Sequence, residues 1–286
     1  MTRPSSTLVS SPGDSIIAAP VRVVTTARGQ VSYRAIGSGT PLVMIMGFSG
    51  SMDSWEPGFL DALAGRYQVI IFDNAGIGRS TGASPKLTIT DMADDTAALI
   101  KALGLVRPDV LGWSMGGMIA QALASKYPGD VNRLVLCATL PGNGKATLPP
   151  KHVQQALDGV GGGNILELLS LIFPANQTVA ANAFIHSIAS FPHLYLAPKA
   201  VISDQLHALA SWLLGMEPAG RAEGTGIGAP TLVADGAEDA IVPVANDYEL
   251  HSVVKGSQLV LYPDASHAFL FQDESSFLPR LEGFLG

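Results

Sequence analysis

Asp109-Val110-Leu111-Gly112-Trp113-Ser114-Met115-Gly116-Gly117-Met118-Ile119-Ala120 is the stretch whose reading decides the fold. A short apolar run with strand character enters it, and an Ala-rich stretch with helical spacing leaves it. One serine stands between them in the spacing Gly-x-Ser-x-Gly. A serine hydroxyl is a poor nucleophile in water. It becomes a good one when a base takes its proton and donors stabilise the oxyanion that follows. A sharp strand-to-helix turn presents the hydroxyl and aims backbone N–H groups at that oxyanion, and flanking glycines allow the close approach the turn needs. The pattern is short, so the rest of the chain has to supply an acid, a base and a second N–H donor.

Working outward, Val21–Thr26 and Gln30–Ala35 alternate in polarity around Ala27-Arg28-Gly29 and read as an antiparallel pair at a sheet edge. Leu42–Met46, Gln68–Asp73, Arg133–Ala138 and Pro230–Asp235 are nearly continuous apolar runs, the pattern of strands buried on both faces. Gln258–Tyr262 is a further strand. Between them lie helical stretches: one from near Asp53 carrying Trp55, Phe59, Leu60 and Leu63, then Asp91–Leu103 with Thr90 as N-cap and Gly104 as stop. Others run over about 115–127, Val244–Val254 and Asp273–Phe284. Strands alternating with helices at this spacing imply a doubly wound, mostly parallel α/β sheet.

The alternation breaks after Leu140. Residues 141–225 hold no good strand but several helical stretches, over 151–159, 164–172, 177–189 and 198–214. Their charges are few, and Leu168, Leu169, Leu171, Ile172, Phe173, Phe184, Ile185, Ile188, Trp212, Leu213 and Leu214 are prominent. The expected organisation is a flexible arm or loosely docked strand over 1–20, a core from 21–140 and 226–286, and an inserted helical lid over 141–225. A plain structural subdomain is the alternative reading of the insert, and the two are compatible.

Composition narrows the partners. Of 286 residues, 47% are hydrophobic and 14% charged, which permits a large core and excludes global disorder. The net charge of −7 comes without a basic cluster, so nucleic acid is disfavoured as a partner. No apolar run approaches the about 18 residues of a membrane span, and Ile16-Ile17-Ala18-Ala19 is too short for a secretory apolar region. The lone Cys137 cannot form an internal disulfide and reads as a small buried strand residue, so a cytoplasmic location is the default expectation.

The chain has six histidines. His152, His186, His193 and His207 fall in the insert and His251 in a helix. His267 instead lies in Pro263-Asp264-Ala265-Ser266-His267-Ala268-Phe269, directly after a strand, and in a parallel sheet that loop opens on the same edge as Ser114. Asp239, in Gly236-Ala237-Glu238-Asp239-Ala240-Ile241, also follows a strand end. Asp235, Glu238 and Asp264 lie near the same edge, so the carboxylate is open at this point.

These motifs, with Met46-Gly47-Phe48 after one strand and Phe72-Asp73-Asn74-Ala75-Gly76-Ile77-Gly78-Arg79-Ser80 after the next, resemble the α/β-hydrolase fold superfamily, in its serine esterase and cofactor-free haloperoxidase-like branch. The resemblance covers nearly everything from residue 21 onward. It implies Ser114 as nucleophile, His267 as general base and then acid, and Asp239 as the group that fixes the imidazole, because in similar sequences the acid follows the strand-end glycine by three positions. Asp235 is the second choice. It implies an oxyanion hole from the backbone N–H groups of Phe48 and Met115, with Phe48 and Trp113 as substrate-binding candidates, although core packing is the commoner fate of such a tryptophan. Two departures stand out: Met46 where relatives often carry His, and Ala75 where they often carry Arg. A serine nucleophile argues against haloalkane dehalogenase or epoxide hydrolase chemistry.

The implied reaction is cleavage of a small to medium, largely apolar ester or lactone through an acyl-enzyme. Perhydrolase or haloperoxidase-like activity, acyl transfer, carbon–carbon bond hydrolysis and a non-catalytic receptor share the same residues. No cofactor is expected, since metal-ligand spacing is lacking and the glycine patterns do not precede a helix as a dinucleotide fingerprint would.

Overall fold

The computed structural model describes residues 15–82, 84, 86–160, 171–174, 176–192, 195–221 and 226–286. Eight strands form one sheet: β1 Arg22–Thr26, β2 Gly29–Ile36, β3 Thr40–Ile45, β4 Tyr67–Phe72, β5 Asp109–Trp113, β6 Leu134–Cys137, β7 Thr231–Gly236 and β8 Gln258–Tyr262. Their spatial order is β1-β2-β4-β3-β5-β6-β7-β8. The β1/β2 and β2/β4 pairs are antiparallel and the remaining five are parallel. The apolar runs are the central strands: β5 and β6 are buried at every position, as strands covered by helices on both faces must be.

The helices are α1 Pro57–Ala64, α2 Ile89–Ala102, α3 Met115–Lys126, α4 Lys151–Val160, α5 Thr178–Ile188, α6 Lys199–Leu213, α7 Pro218–Arg221, α8 Ala245–Val253, α9 Phe269–Gln272 and α10 Glu274–Leu285. Two boundaries differ from expectation. The helix expected from Asp53 is a 3₁₀ turn, Met52–Ser54, followed by α1, whose start is set by Pro57 in the first turn. The final helix lies where expected, as α10, with the short α9 just ahead of it. The N-cap of α2 is Thr88, not Thr90: its hydroxyl accepts the Asp91 N–H, and the Asp91 carboxylate accepts the Thr88 N–H in return. Thr90 is engaged elsewhere. Its N–H and hydroxyl both donate to Glu217, as does the Ile89 N–H, so a buried acid just ahead of α7 sits at the positive end of α2.

Between β6 and β7 the described residues form α4 to α7, with no strand. All but the last two residues of the expected helix 164–172, including Leu168 and Leu169, lie outside the described residues, as does His193. Residues 1–14 of the expected arm also lie outside them. Residues 15–20 dock on the core: Ile16 is fully buried, and its N–H and the Ser15 hydroxyl both donate to Asp61 at 2.7 Å.

The order of strands explains where a site can form. From β3 the chain moves to β4 on one side, then crosses back to β5 on the other. Such a reversal opens a crevice at the carboxyl ends of β3 and β5. The register pairs Ile45 with Gly112, so the residues two further on, Gly47 and Ser114, come side by side.

Candidate active site

Ser114 is the residue between β5 and α3. Its backbone sits at φ 58°, ψ −123°, a sparsely populated conformation for a side chain with a Cβ. The turn is held by its neighbours. The Ser114 N–H donates to the Cys137 carbonyl at 2.9 Å, and the Ser114 carbonyl accepts the Gly117 N–H and the Thr139 hydroxyl. Gly116 is required by contact: a Cβ there would lie 2.0 Å from the Ile45 carbonyl oxygen. The start of α3 therefore rests directly on the end of β3. A Cβ on Gly47 would lie 3.0 Å from the Ser114 Cβ, which places the loop after β3 against the serine.

In that loop, Met46 is buried and its sulfur packs beneath Gly50. The Asn74 side-chain amide donates to the Met46 carbonyl. The neighbouring loop, which carries Ala75, is held by Asp73: its carboxylate accepts the Met52 N–H and the Ser32 hydroxyl, and its carbonyl accepts the Ser80 hydroxyl. Hydroxyls and amides thus anchor this loop without an arginine at position 75. No acceptor among the described residues meets the N–H of Phe48 or of Met115. Phe48 is half-buried against the core.

His267 follows β8. Its Nδ1 lies 2.7 Å from Asp239 Oδ2, and both residues are buried. The other oxygen of Asp239 accepts the Ile241 and Val242 N–H groups at 2.7 and 2.9 Å. An ionised acceptor so placed requires Nδ1–H, which leaves Nε2 with the free lone pair. The rival carboxylates are placed differently. Glu238 and Asp264 are exposed, and Asp235 is fully enclosed behind Asp239. The described rival histidines, His152, His186, His207 and His251, are all exposed on helices. Cys137 is buried in β6 beside the turn, where burial pushes its thiol far up, so it remains a neutral packing group.

Trp113 is only 7% exposed. Its Nε1–H donates to the His267 carbonyl at 2.9 Å, and its ring lies among Trp55, Phe271 and the imidazole. The structure thus places it under the histidine loop. Phe271 links this cluster to the insert through Phe184, stacked at 5.0 Å. The insert is also bonded to both loops that flank the serine. The Ala268 N–H donates to the Ile172 carbonyl, and the Ser49 N–H donates to Gln205 Oε1 at 2.8 Å. Sequence reading missed Phe271 and Gln205. An aromatic four residues past His267 was a usable signal for the first; a lone glutamine on α6 gave none for the second.

A mostly parallel sheet with a serine on the turn after its central strand, and an Asp–His pair after two later strands, defines a class, and the profile of the alpha/beta hydrolase fold matches residues 40–274. The chain belongs to the α/β hydrolase fold family. A protein of Mycobacterium tuberculosis provisionally named non-heme bromoperoxidase BpoC is 29% identical over 255 residues, covering 85% of this chain and 92% of its own. An alpha/beta hydrolase fold protein from Chitinophaga pinensis superposes with a TM-score of 0.84 at 28% identity, over 95% of this chain and 99% of that one. Est816, described as an N-acyl homoserine lactone degrading enzyme, gives 0.73 at 27% identity, over 92% and 100%. Among the described residues no helix is long and apolar enough to cross a membrane.

Proposed function

We propose that this chain is a serine hydrolase that cleaves a carboxylic ester or lactone through an acyl-enzyme on Ser114. The observation that carries the reading is the 2.7 Å contact of His267 with Asp239, which turns Nε2 into a base on the edge where Ser114 stands. Ser114 Oγ attacks the carbonyl carbon while Nε2 takes its proton. The oxyanion forms against the N–H groups of Phe48 and Met115, the second at the first turn of α3, where the helix dipole adds to the hydrogen bond. The imidazolium is stabilised by Asp239 and returns its proton to the departing alkoxide. Water then attacks the acyl carbon while Nε2 takes its proton, the bond to Ser114 Oγ breaks, the imidazolium returns the proton to Oγ, and the carboxylic acid leaves.

Phe48 serves as a pocket wall as well as an N–H donor, and Trp113 supports the base loop from below. The insert acts as a lid that closes on an apolar small molecule, since its buried face is built from Ile172, Phe173 and Phe184 and carries few charges. No cofactor takes part in this chemistry. Peroxide in place of water as the second acceptor is the alternative reading, favoured by the name of the M. tuberculosis relative.

Turnover of p-nitrophenyl esters of graded acyl length and of N-acyl homoserine lactones, with and without peroxide, tests both readings. Hydrolysis of short to medium esters or lactones that disappears in Ser114→Ala is the expected outcome. Turnover retained in Ser114→Ala contradicts the acyl-enzyme, and peracid formation outrunning hydrolysis selects the second reading.

A further inference from the structure

Behind Asp239 lie two acids that the reaction above does not use. Asp235, near the end of β7, is fully enclosed; its Oδ1 accepts the Gly236 N–H at 2.7 Å and its Oδ2 meets no donor among the described residues. Asp247, on the first turn of α8, is equally enclosed, and neither of its oxygens meets a donor there. Asp235 stands within hydrogen-bond reach of both Asp247 and Asp239. The carboxyl groups of Asp247, Asp235 and Asp239 are thus neighbours, and the last of them holds the imidazole of His267.

Among the described residues no cation is found beside these acids. From β6 the Cys137 thiol approaches Asp247, and burial keeps that thiol neutral at ordinary pH. Buried carboxylates without donors or cations cannot all be ionised. Asp239 has two N–H donors and the imidazole N–H, so it keeps the charge. The protons fall on the other two. Burial and the neighbouring carboxylates raise Asp235 well above the usual range, and burial lifts Asp247 from 3.8 to about 7.

We propose that Asp235 is a positioning residue for the triad: a neutral carboxylic acid whose O–H is donated to Asp239, kept protonated by its full enclosure and by the charge on Asp239 beside it. The donated hydrogen bond holds the Asp239 carboxylate in plane with the imidazole from the side that His267 does not reach. This inference rests on Asp239 acting on His267.

Infrared difference spectra at neutral pH, wild type against Asp235→Asn, read the protonation directly. The carbonyl stretch of a protonated, buried carboxylic acid is expected in the wild type and lost in the variant; its absence from the wild type overturns the proposal. Asp235→Asn keeps a neutral donor and is expected to hold kcat within about threefold, whereas Asp235→Leu lowers kcat about tenfold with KM little changed, the size of one lost hydrogen bond. A folded Asp235→Asn as impaired as Asp235→Leu also overturns it. Asp239→Asn separates the two levels: if that variant keeps full activity, the reading of Asp239 itself fails, whatever Asp235 does.

Stability supplies a second check that needs no activity. An acid whose folded pKa is raised contributes fully below its unfolded value, near 3.8 for Asp247, and that contribution is lost as pH rises through about 7. Asp247→Asn is therefore expected to gain in Tm over the wild type as pH is raised from 5 to 8. A Tm difference that does not change with pH overturns the assignment of protons to this pair.

Discussion

At the scale of single residues, the site depends on side chains that hold other side chains. Trp113 is the clearest case outside the Asp–His pair. Its indole N–H meets the His267 carbonyl at 2.9 Å, and its ring lies 5.6 Å from the imidazole. Trp113→Phe keeps an aromatic ring in the cluster and removes the donor, leaving a buried carbonyl short of a partner at a cost of about 1–3 kcal/mol. The expected result is a lower Tm and a lower kcat with little change in KM, read by thermal melts and ester kinetics. An unchanged Tm and kcat would show that Asp239 alone holds the loop. The placement of Ser114, Asp239 and His267 just past strand ends was legible in the sequence because each stands in a short local pattern. Gln205 was not, because its partner Ser49 is 156 positions away and only the folded chain brings them together.

At the scale of elements, the close seat of α3 on β3 is what sets the serine beside the Gly47 loop. Gly116 permits it. Gly116→Ala would put a Cβ 2.0 Å from the Ile45 carbonyl oxygen and 3.0 Å from that of Met46, both backbone atoms that cannot swing aside. The helix would have to lift, at a cost of about 1–3 kcal/mol or more, and the Met115 N–H would move with it. Denaturant unfolding should show the loss, with ester turnover falling in step. Gly129→Ala, with nothing within 4 Å of the added carbon, is the control and should change little. The strands were legible to within two residues because apolar runs end sharply at Gly, Pro and polar residues. The cap of α2 was misplaced by two positions because Thr88 and Thr90 are both competent caps. The choice falls on Thr88 because Glu217, distant in sequence, occupies Thr90.

At the scale of the molecule, strand order does the organising. One reversal between β4 and β5 creates the crevice, and the register of β3 with β5 places the loop and the serine together. The alternation of strands and helices made the sheet legible; the antiparallel β2/β4 pair was not, since the strand against which the leading β1/β2 hairpin docks leaves no local trace. The insert was the least readable segment, because its helices are positioned by tertiary contacts with the histidine and oxyanion-side loops. We propose that these parts serve one nucleophile, and intact-mass measurement with peptide mapping after reaction with a fluorophosphonate probe reads it out. A single adduct on Ser114 is expected in the wild type, none in Ser114→Ala, and much slower labelling in His267→Ala. A wild-type protein left unlabelled at Ser114, or labelled there at the same rate without His267, would contradict it.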